Sequence, residues 1–349
     1  MSERALLIAA GGGLGDSLLA SMCIAALRER YDAVDALTLP GHVDAFNHGS
    51  GVSEIFSAME SSSDLIRKFR AKRYAAAVVT WATGRNALLA LFSGARRRVG
   101  QARRLYSGLF TDRVVVRSER GDTHSHWSEI LLDYPRALGC ETLLRAPRFE
   151  LTELERAEAQ RLLQLHGVAD EFFLVHPTTA VSPRRPVWPL GGWRAVVNRI
   201  RARYGLPVFV TGSPADRAIA AELAAQTGAT SIAGQTSVGS FAALANRARG
   251  VVTMESAPMH LAAAVGAPTV GVFPLRANFP DRWRALGPRV AVVRDGFVCP
   301  PGREHVMEAC RTYECVARLD VDAIERALDE VLVRPRPSLR IELAGSPVA

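Results

Sequence analysis

Short apolar runs alternate with helical patterns along most of the chain, and the alternation starts twice. Ala5 to Ala10, Val34 to Leu39, Ala75 to Thr80 and Val114 to Val116 read as strands. Between them, Ser17 to Arg30 carries Leu18, Leu19, Met22, Ala25, Ala26 and Leu27 at helical spacing. Asp64 to Lys72, Asn86 to Phe92 and Trp127 to Leu138 are further helices. A second series opens with a helix at Thr152 to Leu165, where Thr152 serves as N-cap and Glu155 follows three places on. Strands at Phe172 to His176, Pro207 to Thr211, Gly250 to Met254 and Pro268 to Phe273 follow. They alternate with helices at Trp193 to Tyr204, Asp216 to Gln226, Ser240 to Ala248, Met259 to Val265 and Asp320 to Val333. Near-continuous apolar strands separated by helices predict α/β architecture, with parallel sheets covered on both faces.

A chain of 349 residues exceeds one ordinary core. Two Rossmann-like domains are expected, residues 1–155 and 156–335, followed by a loose tail at 336–349. The formal charge is +8, and the bases are almost all arginine, which forks onto phosphate and carboxylate. Aromatics do not interleave with these arginines, so no nucleic-acid partner is expected. No apolar run approaches the ~18 residues of a membrane span. Met1-Ser2-Glu3-Arg4 lacks a signal-peptide layout, so a cytoplasmic location is expected. Five cysteines, an odd number, argue against a disulfide framework. Cys299, Cys310 and Cys315, with His305 among them, lack the close pairs of zinc sites, so thiols without metal are expected.

Ligands of open parallel sheets sit beyond the carboxyl ends of the strands, which places a site in the cleft between two such domains. Gly11-Gly12-Gly13-Leu14-Gly15-Asp16 follows the first strand. Gly11 and Gly13 fit a dinucleotide fingerprint, but Asp16 stands at its third glycine and would repel a pyrophosphate. That argues against NAD and leaves Asp16 as a helix cap or a general base.

His176-Pro177-Thr178-Thr179 ends another strand, with hydroxyls and N–H groups suited to phosphate oxygens. Arg184-Arg185 beyond it reads either as a diphosphate clamp or as part of a solvated basic loop. In Thr253-Met254-Glu255-Ser256-Ala257-Pro258-Met259-His260, Ser256 is a good N-cap and Pro258 suits a first turn, so a helix N-terminus faces the cleft. Glu255 has the chemistry to accept bonds from sugar hydroxyls, and His260 on an apolar helix has that of a core residue. Ser213, in Thr211-Gly212-Ser213-Pro214, belongs to a further strand-end turn. Arg96-Arg97-Arg98 is either a solvated face or a contact for a phosphorylated acceptor or anionic membrane.

In their order along the chain, these stretches resemble glycosyltransferase family 9, the bacterial ADP-heptose:lipopolysaccharide heptosyltransferases, from about Ala5 to Leu332. Leu14-Gly15-Asp16 matches a family turn, and Leu27-Arg28-Glu29-Arg30-Tyr31 a family helix end. Gly94 to Gly100 looks like a family segment, and cysteines before the last helix recur. His176-Pro177-Thr178-Thr179 with Trp188-Pro189 resembles the donor loop. Glu255-Ser256-Ala257-Pro258-Met259-His260-Leu261-Ala262-Ala263 resembles Asp-Ser-Gly-x-x-His-x-Ala-Ala.

The resemblance implies a GT-B fold and an inverting, metal-independent transfer of heptose from an ADP-sugar, with no cofactor beyond that donor. The implied acceptor is a hydroxyl of lipopolysaccharide inner core or a related phosphorylated glycolipid, reached at the inner face of the cytoplasmic membrane. Asp16 would be the catalytic base. Thr178, Thr179, Arg185, Ser213, Glu255, Ser256, Ala257 and His260 would form the donor side; Gly13, Arg96, Arg97 and Arg98 the acceptor side. Four features depart from the family pattern: the base of Lys-x-Trp-Pro is displaced and is arginine, Glu255 replaces aspartate, Ala257 replaces glycine, and Gly11-Gly12-Gly13 replaces a more polar lead-in. Another nucleotide-sugar enzyme such as an epimerase, or a non-catalytic sugar-nucleotide binder, shares the same outline.

Overall fold

The computed structural model describes residues 3–178, 188–274, 280–294, 316 and 318–335. The apolar runs form two six-stranded sheets, parallel throughout. The first contains β1 (Arg4–Ile8), β2 (Ala33–Thr38), β3 (Ile55–Ser57), β4 (Ala76–Val79), β5 (Arg97–Gln101) and β6 (Asp112–Val114). The second contains β7 (Phe173–His176), β8 (Val208–Val210), β9 (Thr230–Ser231), β10 (Gly250–Met254), β11 (Thr269–Phe273) and β12 (Val290–Arg294). The helices over the first half are α1 (Leu14–Arg28), α2 (Asp44–Asn47), α3 (Ser62–Lys72), α4 (Gly84–Phe92) and α5 (Trp127–Arg136). Those of the second are α6 (Glu153–Leu165), α7 (Leu190–Tyr204), α8 (Arg217–Thr227), α9 (Val238–Arg247), α10 (Ala257–Ala264), α11 (Pro280–Trp283) and α12 (Val321–Val333).

The strand orders are β3-β2-β1-β4-β5-β6 and β12-β11-β10-β7-β8-β9. Each sheet therefore reverses direction between its first and fourth strands, and the crevice at such a reversal is where open α/β sheets hold ligands. The turns after β1, β7 and β10 are the stretches that the sequence singles out.

Apolar clusters hold the two sheets. Leu6, Ile8, Phe56, Leu65 and Phe69 pack one face of the first sheet. Val175, Trp193, Val197, Val252 and Leu328 pack the outer face of the second. The largest cluster runs unbroken from Leu18, Leu19 and Leu131 through Leu163, Phe241 and Leu261 to Phe172 and Leu174, so the inner faces of both sheets share one core. Burying each such side chain contributes about 1.5–3 kcal/mol. Thr152 caps α6 as expected: its hydroxyl accepts from Glu155 N–H, and the Glu155 carboxylate accepts from Thr152 N–H. The helix so started packs against α9, on the second sheet's side.

Several elements differ from expectation. β6 spans Asp112–Val114, ahead of the apolar pair Val115-Val116, and β5 forms within a run that reads as a solvated basic face. β5 tolerates its arginines because each is satisfied. Arg97 pairs with Asp112 at 2.5 Å, and Arg98 donates to the carbonyls of Leu109 and Ala95.

Candidate active site

Helix α1 begins at the carboxyl end of β1. Gly13, in extended conformation, is its N-cap; Asp16 is the third helical residue and reaches back to accept from Gly13 N–H at 2.8 Å. The glycines before it serve close packing. A Cβ on Gly11 would lie 2.0 Å from the Trp81 ring. Gly12 has φ +72°, and a Cβ there would lie 2.8 Å from Asp16 Oδ2. Asn86 ties this turn to the one after β4 by donating to the carbonyls of Ala10 and Trp81. Burial raises the Asp16 pKa from its ordinary value, against the opposing pull of the Gly13 N–H and His42. His42 ends a 3₁₀ turn, Pro40–His42, after β2, and its Nδ1 is 2.9 Å from Ser17 Oγ.

The facing wall is made by the second sheet. Ser256 is the N-cap of α10, but its hydroxyl donates to Met254 C=O at 3.3 Å and caps no N–H of the helix. The α10 N-terminus thus presents its partial positive charge without a capping bond from the Ser256 side chain. His176, at the end of β7, is buried and neutral; desolvation lowers its pKa to about 4. Its Nδ1 lies 2.9 Å from Thr211 Oγ1, which itself donates to Val175 C=O, so Nδ1 carries the proton and Nε2 faces the Thr178 hydroxyl at 3.5 Å. Ser213 and Asp216 form a capping box after β8. Burial lowers the His260 pKa further, to about 3. Its ring packs against α1 where Gly15 leaves room: a Cβ there would lie 3.2 Å from His260 Cδ2. Among the described residues His260 Nδ1 has no hydrogen-bond partner.

The two walls enclose a cleft of about 1070 Å³. Gly13, Leu14, Gly15, Asp16, Gly41 and His42 line it on one side; His176, Thr178, Ser213, Asp216, Glu255, Ser256, Ala257 and His260 on the other. Trp283, on α11, also lines it and packs on Trp127 of α5 at 5.2 Å between ring centroids. His126 spans the walls: its Nδ1 accepts from Ser128 N–H, and its Nε2 donates to Arg284 C=O at 2.8 Å.

The sequence model of glycosyltransferase family 9 (heptosyltransferase) matches residues 63–310. The chain belongs to glycosyltransferase family 9. It is 24% identical over 279 residues to lipopolysaccharide heptosyltransferase 3 of Escherichia coli, a match covering 74% of this chain and 80% of that protein. It superposes on a family 9 glycosyl transferase of Veillonella parvula with a TM-score of 0.81 at 19% identity, over 95% of this chain and 97% of that one. On the E. coli ADP-heptose lipopolysaccharide heptosyltransferase II the TM-score is 0.76 at 20% identity, over 94% and 98%. The fold is GT-B, with the two sheets facing each other across the cleft.

This family 9 glycosyltransferase brings Asp16, Gly13, Thr178, Ser213, Glu255, Ser256, Ala257 and His260 to one cleft. It does not bring Arg96, Arg97 and Arg98 there. Arg97 is level with Ala76, and Ala76 with Ala5, so these arginines sit at the amino ends of the strands. There Arg96 pairs with Glu3 and Arg97 with Asp112. Thr179, Arg185, Cys299, Cys310 and Cys315 lie outside the described residues. Among the described residues no three His, Cys, Asp or Glu side chains converge as a metal site requires, and no helix is long and apolar enough to cross a membrane. Sequence reasoning missed His42, Asp216 and Trp283. His42 and Trp283 carry no motif. Asp216 reads only as a helix start, although its place three residues after Ser213 is a capping-box spacing.

Proposed function

We propose that the chain transfers heptose from ADP-heptose to a hydroxyl of a lipopolysaccharide core acceptor, with inversion and without a metal. The observation that carries this reading is the pairing within one cleft of a raised-pKa carboxylate, Asp16, with the uncapped N-terminus of α10 opposite. The family match and the likeness to heptosyltransferases support the donor and acceptor classes.

The bond from the anomeric carbon to the diphosphate breaks as the acceptor oxygen attacks from the opposite face. The electron pair leaves with ADP, and the hydroxyl proton passes to Asp16. Asp16 Oδ2 is held by Gly13 N–H, which leaves Oδ1 for the acceptor. A pKa raised by burial makes this carboxylate a stronger base than a solvated aspartate. Ala257 at the start of α10, with Ser256, Thr178 and Thr179, receives the growing negative charge on the diphosphate, as helix N-termini favour anions. Arg185 adds a fork to the same group, and Glu255 meets donor hydroxyls. His260 acts by packing the walls together at Gly15. The proposed division into residues 1–155 and 156–335 falls in the first turn of α6, and the acceptor is reached at the inner face of the cytoplasmic membrane.

The test is Asp16→Asn. Transfer assayed as ADP release falls by roughly 10²–10⁴-fold, the usual contribution of a general base, while calorimetric ADP affinity stays within a few-fold. Near-normal turnover would reduce Asp16 to a helix cap. Turnover that survives EDTA supports metal independence, and NMR of the product's anomeric centre reads inversion.

A further inference from the structure

His42 has no part in the mechanism above, yet it shares the acceptor wall with Asp16. The Pro40–His42 turn follows β2, the strand parallel to and beside β1, so both turns emerge at the carboxyl end of the first sheet. The bond between Ser17 Oγ and His42 Nδ1 fixes the ring against the helix turn that carries Asp16. Ser17 is buried, which makes that anchor rigid. Nδ1 is thereby occupied, and Nε2 is the ring's remaining polar atom. His42 and Gly41 beside it both line the cleft, so this side of the turn is reached from the cleft.

We propose that His42 is an acceptor-specificity residue, whose Nε2 hydrogen-bonds a second hydroxyl of the polyhydroxy acceptor while Asp16 takes the proton of the first. This rests on the glycosyl-transfer reading and adds a residue to it. A hydroxyl both donates and accepts, so either tautomer of the ring serves. Desolvation pushes the His42 pKa below its usual value, against the pull of Asp16, so the ring meets the acceptor in its neutral form.

The experiment uses the full chain with ADP-heptose and a deacylated inner-core oligosaccharide ending in heptose. His42→Ala is expected to raise the KM for the oligosaccharide about tenfold, with kcat within about threefold and the KM for ADP-heptose within about twofold. His42→Gln, which keeps a polar group at similar reach, recovers most of the loss. An unchanged acceptor KM in His42→Ala overturns the assignment, as does a parallel rise in both KM values with no rescue by Gln. A second measurement separates this from failure of the transfer reading: the His42 ring resonances are followed while the oligosaccharide is titrated into the ADP-bound chain. A wild-type chain that binds ADP-heptose but transfers nothing removes the transfer reading. The titration then decides His42 by itself, since a ring signal that does not move overturns it and one that shifts in wild type supports it.

Discussion

The turn after β1 and the turn after β10 occupy equivalent places in two sheets of the same strand order, yet they end oppositely. The first closes on a carboxylate that accepts from its own turn, Asp16 on Gly13 N–H. The second opens α10 with Ser256, whose hydroxyl turns back to Met254 C=O and leaves the helix end uncapped. In the proposed reading, one fold thus supplies both a base and an anion seat, and side chains at the first helical turn decide which. The largest effect expected is the loss of turnover in Asp16→Asn with donor affinity intact, because only the first turn is changed.

Ser256→Asp puts a carboxylate on the second turn as well, at the N-cap rather than at the third helical position. Asp is a good N-cap, so stability should hold or rise by up to about 1 kcal/mol. A carboxylate at the anion seat should weaken ADP binding at least tenfold, read by calorimetry, because two like charges a few ångströms apart near a protein surface repel by about 4 kcal/mol before screening. Unchanged ADP affinity would mean that the α10 N-terminus is not where the diphosphate sits.

Gly12→Ala tests whether the first turn's glycines aim Asp16. The added Cβ meets Asp16 Oδ2 at 2.8 Å and Trp81 Cζ3 at 2.9 Å on a left-handed backbone. The strain costs about 1–3 kcal/mol, and turnover should fall about 10–100-fold from a displaced carboxylate. Gly13→Ala is the control. Its backbone is extended, and a Cβ lies an ordinary 3.6 Å from Asp16 Oδ2, so turnover should stay within about twofold. Equal losses in both variants would break the argument that Gly12 is the constrained position.

The same contrast explains what could be read without the structure. Asp16, Ser256 and Thr178 were legible because each sits just past an apolar strand, and chain order alone places such residues at carboxyl ends. The parallel α/β architecture followed from the alternation. β5 was hidden because Arg97 and Arg98 give a strand the look of a solvated face, and the partners that satisfy them, Asp112 and the carbonyls of Leu109 and Ala95, become neighbours only on folding. β3 and β9, of three and two residues, are too short for any periodicity. His42 reaches Ser17 across 25 positions of sequence, a contact made by strand pairing and invisible to spacing. His260 reads as a core residue and is indeed buried, but its place against Gly15 depends on two helices from different sheets.

The buried groups of the cleft also respond to pH in opposite senses. His176 and His260 have folded pKa values lowered to about 4 and about 3 from 6.5, so below 6.5 the unfolded chain takes up protons that the folded one refuses. Their neutral burial costs nothing above that range. Stability is lost as pH falls, by about 2 kcal/mol for each at pH 5, at 1.36 kcal/mol per unit. Urea unfolding midpoints from pH 7 to pH 5 should show the loss. His260→Gln should flatten the slope by one proton, and an unaltered slope would mean that His260 is not the buried neutral ring described.

Asp16 carries the smaller and opposite effect. Burial raises its folded pKa above the unfolded value, so the protonated form is the one that the fold favours. Its contribution to stability is whole below the ordinary carboxylate range and is lost as pH rises through the raised value. At neutral pH the ionised carboxylate is therefore a cost that the fold carries. Asp16→Asn removes the charge while its side-chain oxygen can still accept from Gly13 N–H. The variant should melt slightly higher than wild type at neutral pH, and the gain should vanish in acid, where wild-type Asp16 is itself neutral. A variant that is less stable at neutral pH would show the opposite, that the ionised carboxylate is held for the sake of the helix. A more stable and inactive one would show the first turn keeping a desolvated charge that serves only the reaction.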